Sequence, residues 1–147
     1  MILNETYPLQ NGLTLPKLGL GTWFIADDQA AAAVHTAVQQ GYRLIDTAQA
    51  YGNERGVGEG ARTCGVPCSE LFVASKIAAE LKTYDAAAKS IDETLEKMGL
   101  DYLDQIIIRA PSSEQNNAIL RKTKLSGGHW KTHNPRAKSR SLAYQIF

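Results

Sequence analysis

The chain has 147 residues, enough for one domain with a core of useful size, and a net charge of only +1. No stretch approaches the ~20 apolar residues of a membrane span. The start, Met1-Ile-Leu-Asn-Glu-Thr6, lacks the basic and long apolar segments of a signal peptide, so a soluble, cytoplasmic protein is expected. The charge is unevenly placed: residues 1–111 carry a net −5 and residues 112–147 a net +6. A basic segment of that kind points to nucleic acid, to a membrane surface, or to a chain that changes identity along its length.

The first element is a hairpin. Tyr7-Pro-Leu-Gln10 and Leu13-Thr-Leu15 flank Asn11-Gly12, whose positive φ angles suit a two-residue type I′ turn. A strand over Leu18–Thr22 follows, then an alanine-rich helix from Asp28 to Gln40. Asp27 and Asp28 lie at the helix's positive end, and Gly41 lies just past its last turn. Leu44–Ala48 is the second strand of this series, and Asn53–Cys64 a helix weakened by glycines. Leu71–Ile77 is the third strand. Thr83 caps a helix running to Met98 with Gly99 as its stop, and Asp104–Ile108 is the fourth strand.

Strand–helix alternation with β-branched, apolar strands predicts a parallel sheet covered on both faces. Two folds meet that description, the open doubly wound sheet and the (β/α)8 barrel. A dinucleotide-binding sheet needs G-x-G-x-x-G after its first strand. Here Gly19-Leu-Gly21-Thr-Trp-Phe24 has phenylalanine at the third glycine position. Asp46, Tyr51 and Lys76 all fall at or just beyond strand C-termini, where barrels keep their chemistry. The expectation is therefore the N-terminal half of a (β/α)8 barrel, preceded by the hairpin.

Those three residues form a coherent acid–base set. A phenol is a poor acid at neutral pH, with a pKa near ~10. A nearby ammonium favours the phenolate, and a carboxylate can hold that ammonium charged and aimed. Tyr51, supported by Lys76 and Asp46, is thus the candidate general acid for carbonyl reduction.

The run Gly41-Tyr-Arg-Leu-Ile-Asp-Thr-Ala-Gln-Ala-Tyr-Gly-Asn-Glu54 carries a family resemblance, with Leu18-Gly-Leu-Gly-Thr-Trp23 upstream and Val73-Ala-Ser-Lys76 downstream. Over residues ~5–108 the chain resembles the aldo-keto reductases, (β/α)8 barrels that reduce aldehydes and ketones with a nicotinamide cofactor. The resemblance implies Tyr51 as proton donor with Asp46 and Lys76 as its supports. It also implies Thr22 and Asp46 beside the cofactor ribose, and Trp23 as a wall of the substrate pocket. The implied cofactor is NADPH, with NADH as the variant.

The family pattern breaks near residue 109. The resemblance implies a histidine at the end of the fourth strand, where this chain has Arg109 in Ile106-Ile-Ile-Arg-Ala-Pro111. Arg109 still donates hydrogen bonds, but it is bulkier and permanently charged. No strand–helix continuation is read over 112–147, which is expected to be an irregular, basic, poorly ordered tail. Read one base out of frame, Leu142-Ala-Tyr-Gln-Ile-Phe147 permits Gly-Val-Ser-Asn-Phe, a motif of the same family. Arg136-Ala-Lys-Ser139, with the codon before it, permits Ala-Gly-Lys-Ile, and Ser126-Gly-Gly-His-Trp-Lys131 permits Trp-Arg-Ala-Leu-Glu-Asp. The tail therefore resembles an out-of-frame segment of such a gene.

Other signals are weaker. Cys64 and Cys68 are not spaced as CxxC and have no second Cys/His pair, so two free thiols are expected rather than a metal or redox pair. His129 and His133 have helical ligand spacing, but Pro135 and the adjacent glycines oppose a helix, and no metal is expected. The tail's basic residues lack the interleaved aromatics of a nucleic-acid binder. Two function classes remain: a truncated aldehyde and ketone reductase, and a non-catalytic fragment that self-associates through unpaired edges of its sheet.

Overall fold

The structure, a computed structural model, describes residues 2–9, 12–78, 83–110, 138–139 and 142–146. β1 (Thr6–Pro8) and β2 (Thr14–Pro16) form the antiparallel hairpin, with Tyr7 opposite Leu15. Its turn is longer than the expected two-residue type. Leu9 N–H donates to Leu13 O at 2.8 Å, and Gly12 takes the left-handed conformation with φ 82°. Three residues therefore lie between the last bonded pair, a loop length that also places its glycine at positive φ. Asn11 lies outside the described residues.

β3 (Gly19–Gly21), α1 (Asp27–Gln39), β4 (Leu44–Asp46), α2 (Glu54–Thr63), β5 (Phe72–Ile77) and α3 (Tyr84–Met98) then alternate as expected. β6 (Tyr102–Leu103) and β7 (Gln105–Ala110) follow, and β8 (Lys138–Ser139) and β9 (Leu142–Ile146) complete the strands among the described residues. The main sheet is wholly parallel, in the order β3-β4-β5-β7-β9. β6 pairs separately with β8.

The fifth strand of that sheet is a finding that the sequence did not disclose. Leu142-Ala-Tyr-Gln-Ile146 pairs with Ile106–Ala110, so the outer edge of β7 is occupied where an open edge was expected. Leu142, Tyr144 and Ile146 alternate with Ala143 and Gln145, a period of two that a single isolated strand shows only weakly. Apart from β8 at Lys138–Ser139, the rest of 112–147, including His129 and His133, lies outside the described residues.

Helix ends follow local chemistry. Thr83 Oγ1 accepts from Ala86 N at 3.2 Å at the start of α3, and Gly99, with φ 65°, closes it. α1 has no side-chain cap. Its Asp27 carboxylate instead accepts from Gly56 N at 2.7 Å and pairs with Arg55, tying the start of α1 to α2. Asn53 precedes α2 without capping it, because its side chain is used elsewhere.

The core lies between the sheet and the helices. Ile45, Val73, Ile77 and Ile106 from the strands meet Val34, Val38, Val57, Ile91, Leu95 and Met98 from the helices. Burying each such side chain is worth roughly 1.5–3 kcal/mol. Ile106 is fully buried and Ile107 partly so. The side chain of Ile108 lies outside the described set.

The glycines of α2 serve packing. A Cβ at Gly56 would overlap the backbone of Asp27, and one at Gly58 would overlap the backbone of Met98. The residues that weaken α2 as an isolated helix thus let it lie against both α1 and α3.

Candidate active site

Parallel pairing aligns the strand C-termini, and three of them supply the site. β3 leads into Thr22, Trp23 and Phe24, β4 ends on Asp46, and β5 presents Lys76 one residue before its end. The segment after β4 turns through Gln49–Tyr51, and Gly52 at φ 70° sends the chain into α2, leaving Tyr51 on the rim.

Asp46 and Lys76 form the tightest contact there. Lys76 Nζ donates to both carboxylate oxygens at 2.6 Å and to Thr47 O at 3.0 Å. The lysine side chain is 11% exposed and the aspartate 35%, so the pair is only partly desolvated. Lys76 Nζ also lies over the Tyr51 ring, 5.3 Å from its centroid. The ammonium therefore meets the phenol through the ring face, a cation–π contact. Trp23 stacks nearly parallel to Tyr51, with centroids 5.8 Å apart, and Phe24 stacks on Trp23 at 4.9 Å.

Trp23 is 62% exposed and Phe24 91%, so two large aromatic faces stand open at the mouth. Phe24 has φ 64°, a left-handed conformation that costs a bulky residue about 1–3 kcal/mol. Thr22 is buried, and both its N–H and its hydroxyl donate to Asp46 O, at 3.0 and 3.1 Å. It fixes the backbone that carries the acid.

A buried polar layer underlies the rim. Asn53 Nδ2 donates to Thr22 O at 2.8 Å and to Ile25 O at 2.9 Å, and Thr47 Oγ1 donates to Asn53 Oδ1 at 3.0 Å. Gln49 Nε2 reaches Ser90 and Thr94 on α3, and its Oε1 accepts from Ala78 N at 2.8 Å, just past Lys76. Glu54 is 3% exposed and accepts from Ser75 Oγ at 3.0 Å and Thr94 Oγ1 at 3.1 Å. Burial raises the Glu54 pKa above the usual carboxylate range, against the lowering effects of Ser75, Thr94 and Lys97.

The structure thus brings Thr22, Trp23, Asp46, Tyr51 and Lys76 together on one rim. Arg109 is in β7 opposite Gln145, and its side chain lies outside the described set. The sequence reading missed the layer of Asn53, Gln49, Glu54, Ser75 and Thr94. A signal for it existed: Ser75 and Thr94 are polar residues at positions where strand and helix periodicity call for apolar ones.

The donor set suits the nicotinamide–ribose end of a dinucleotide. A part-exposed carboxylate can accept from ribose hydroxyls, and the Trp23 ring offers a flat face. No group of three or more His, Cys, Asp and Glu side chains able to hold a metal occurs among the described residues. No described helix is long and apolar enough to cross a membrane.

Comparison with known proteins defines the class. The model of the aldo/keto reductase family matches residues 17–123. The chain belongs to the aldo/keto reductase family. The morphine 6-dehydrogenase of Pseudomonas putida is 41% identical over 111 residues, which are 76% of this chain and 38% of that protein. An aldo/keto reductase from Brucella melitensis superposes with a TM-score of 0.79 at 32% identity, over 97% of this chain and 53% of that one. An aldo-keto reductase of Bombyx mori, solved in complex with NADP, superposes with a TM-score of 0.74 at 28% identity, over 95% and 50%. The chain therefore spans between about a third and a half of these relatives, and its fold is a partial barrel.

Proposed function

We propose that this rim is the proton-donating half of a nicotinamide-dependent carbonyl reductase acting on aldehydes and ketones, with NADPH as the favoured cofactor. The observation that carries the reading is the Asp46–Lys76 pair seated against the Tyr51 ring. Tyr51 gives its proton to the carbonyl oxygen as negative charge develops there. Lys76 stabilises the charge left on the phenol oxygen, and Asp46 keeps the ammonium fixed. Thr22 acts by holding the Asp46 backbone, and Trp23 walls the substrate side. A reduced nicotinamide, when bound, would supply the hydride, and Asp46 would hold its ribose.

A second reading rests on length. With about half of a relative's chain, few groups are available to hold a dinucleotide, and a few ribose contacts do not offset the ordering cost of binding. Under it, the chain is a non-catalytic fragment that self-associates. Titration of the chain with NADPH, followed by tryptophan fluorescence, separates the two. Saturable quenching that disappears in Trp23→Phe is the expected result for the reductase. A flat titration overturns it in favour of the fragment.

A further inference from the structure

We propose that Cys64 and Cys68 are a modification site: a thiol pair that closes to an intramolecular disulfide by exchange with a small-molecule disulfide such as oxidised glutathione. Their spacing pointed to two unconnected thiols, but the chain path brings them together. α2 ends at Thr63, Gly65 turns the chain with φ 88°, and Pro67 delivers Cys68 to a short 3-10 turn. Both thiols return to one acceptor. Cys64 Sγ lies 3.4 Å and Cys68 Sγ 3.5 Å from the carbonyl oxygen of Ala61, one of the last in the helix. Both cysteines are free and only partly buried. Cys68 also lines a cavity of about 230 Å³, with Arg62, Leu100 and Tyr102 among its walls, which gives a small reagent room beside the pair.

The chemistry is self-contained. One cysteine thiolate attacks the small disulfide, forming a mixed disulfide and releasing one small thiolate. The other cysteine then loses its proton to solvent and attacks the protein sulfur of that mixed disulfide. The Cys64–Cys68 bond forms as the second small thiolate leaves and is protonated. Two protein thiols are oxidised, one disulfide is reduced to two thiols, and no further co-reactant is needed. Burial, and then the charge of Cys64, raise the Cys68 pKa, with Arg62 opposing.

The test is mass spectrometry of the whole chain, incubated with oxidised glutathione at mildly alkaline pH and then alkylated. The expected product is lighter than the reduced chain by two hydrogens, with residues 64–68 linked. Cys64→Ser and Cys68→Ser should each stop at a glutathione adduct. In a glutathione redox buffer, the native chain should favour the bond by about tenfold over the same chain in urea, a difference of roughly 30 mV. Stable glutathione adducts on the unmutated chain, a fully reduced chain, crosslinking only between copies, or equal native and urea equilibria would each overturn the proposal. The readout is independent of reductase activity.

Discussion

Tyr51 is contacted by a tryptophan ring and by an ammonium held by a carboxylate, so its hydroxyl can be removed with little change in packing. In the longer chain that the shifted reading frame would encode, Tyr51→Phe is expected to lower aldehyde turnover by ~10²-fold or more, with NADPH affinity little changed. Steady-state kinetics with a parallel binding titration checks this, and retention of more than about a third of turnover would place the acid elsewhere. Glu54 gives a second prediction. Its folded pKa is raised, so the folded state holds this proton more tightly than the unfolded chain. Its contribution to stability is therefore greatest below the unfolded pKa and declines as pH rises from there through the raised folded value. Denaturant titrations across pH should show that decline, and Glu54→Gln should flatten it. An unchanged slope in the variant would mean the dependence arises from another group.

α2 shows an element whose intrinsic preference and tertiary role conflict. Replacing a mid-helix glycine by alanine normally gains up to about 1 kcal/mol of helix propensity. At Gly58 the added methyl would meet the Met98 backbone, which has no flexible end to yield. Gly58→Ala is expected to destabilise by about 1–3 kcal/mol, measured as a lower urea midpoint. A gain in stability would show that α3 shifts away at little cost. α3 behaves conventionally, and Thr83→Ala should cost about 1 kcal/mol through loss of the Ala86 bond.

At the scale of the molecule, β3 has β4 as its one hydrogen-bonded neighbour among the described strands. A groove of about 500 Å³ lies between Gly19–Gly21 and the small residues Ala32, Ala33 and Thr36 of α1. An edge with no second partner among the described strands and an adjoining groove is a candidate pairing surface, so self-association through β3 is expected. Light scattering after size exclusion should show a concentration-dependent oligomer, and Ala32→Lys should return it to monomer. A monomer at all concentrations would remove this surface from consideration. The placement of 142–146 beside β7 bears on the tail, since Leu142–Phe147 permits Gly-Val-Ser-Asn-Phe in the shifted frame. One base inserted or removed upstream should open a longer frame, and stop codons in both alternative frames would end that proposal.

Local chemistry decided much of this protein from the sequence alone. Thr83 and Gly99 bound α3, Gly41 ends α1, and apolar strands alternating with helices declare a parallel sheet, because caps, positive φ and periodicity act over a few residues. Asp46, Tyr51 and Lys76 were legible as a set because strand ends in a parallel sheet share one rim. Tertiary structure alone decided the rest. That Lys76 meets Tyr51 through the ring, that Ser75, Thr94 and Glu54 share a buried layer, and that β9 joins β7 all depend on contacts between distant residues. The convergence of Cys64 and Cys68 on one carbonyl depends on the path of the turn after α2. Hydrogen-bond geometry and packing are fixed only when elements are brought together in space, and residue type and spacing do not encode them separately.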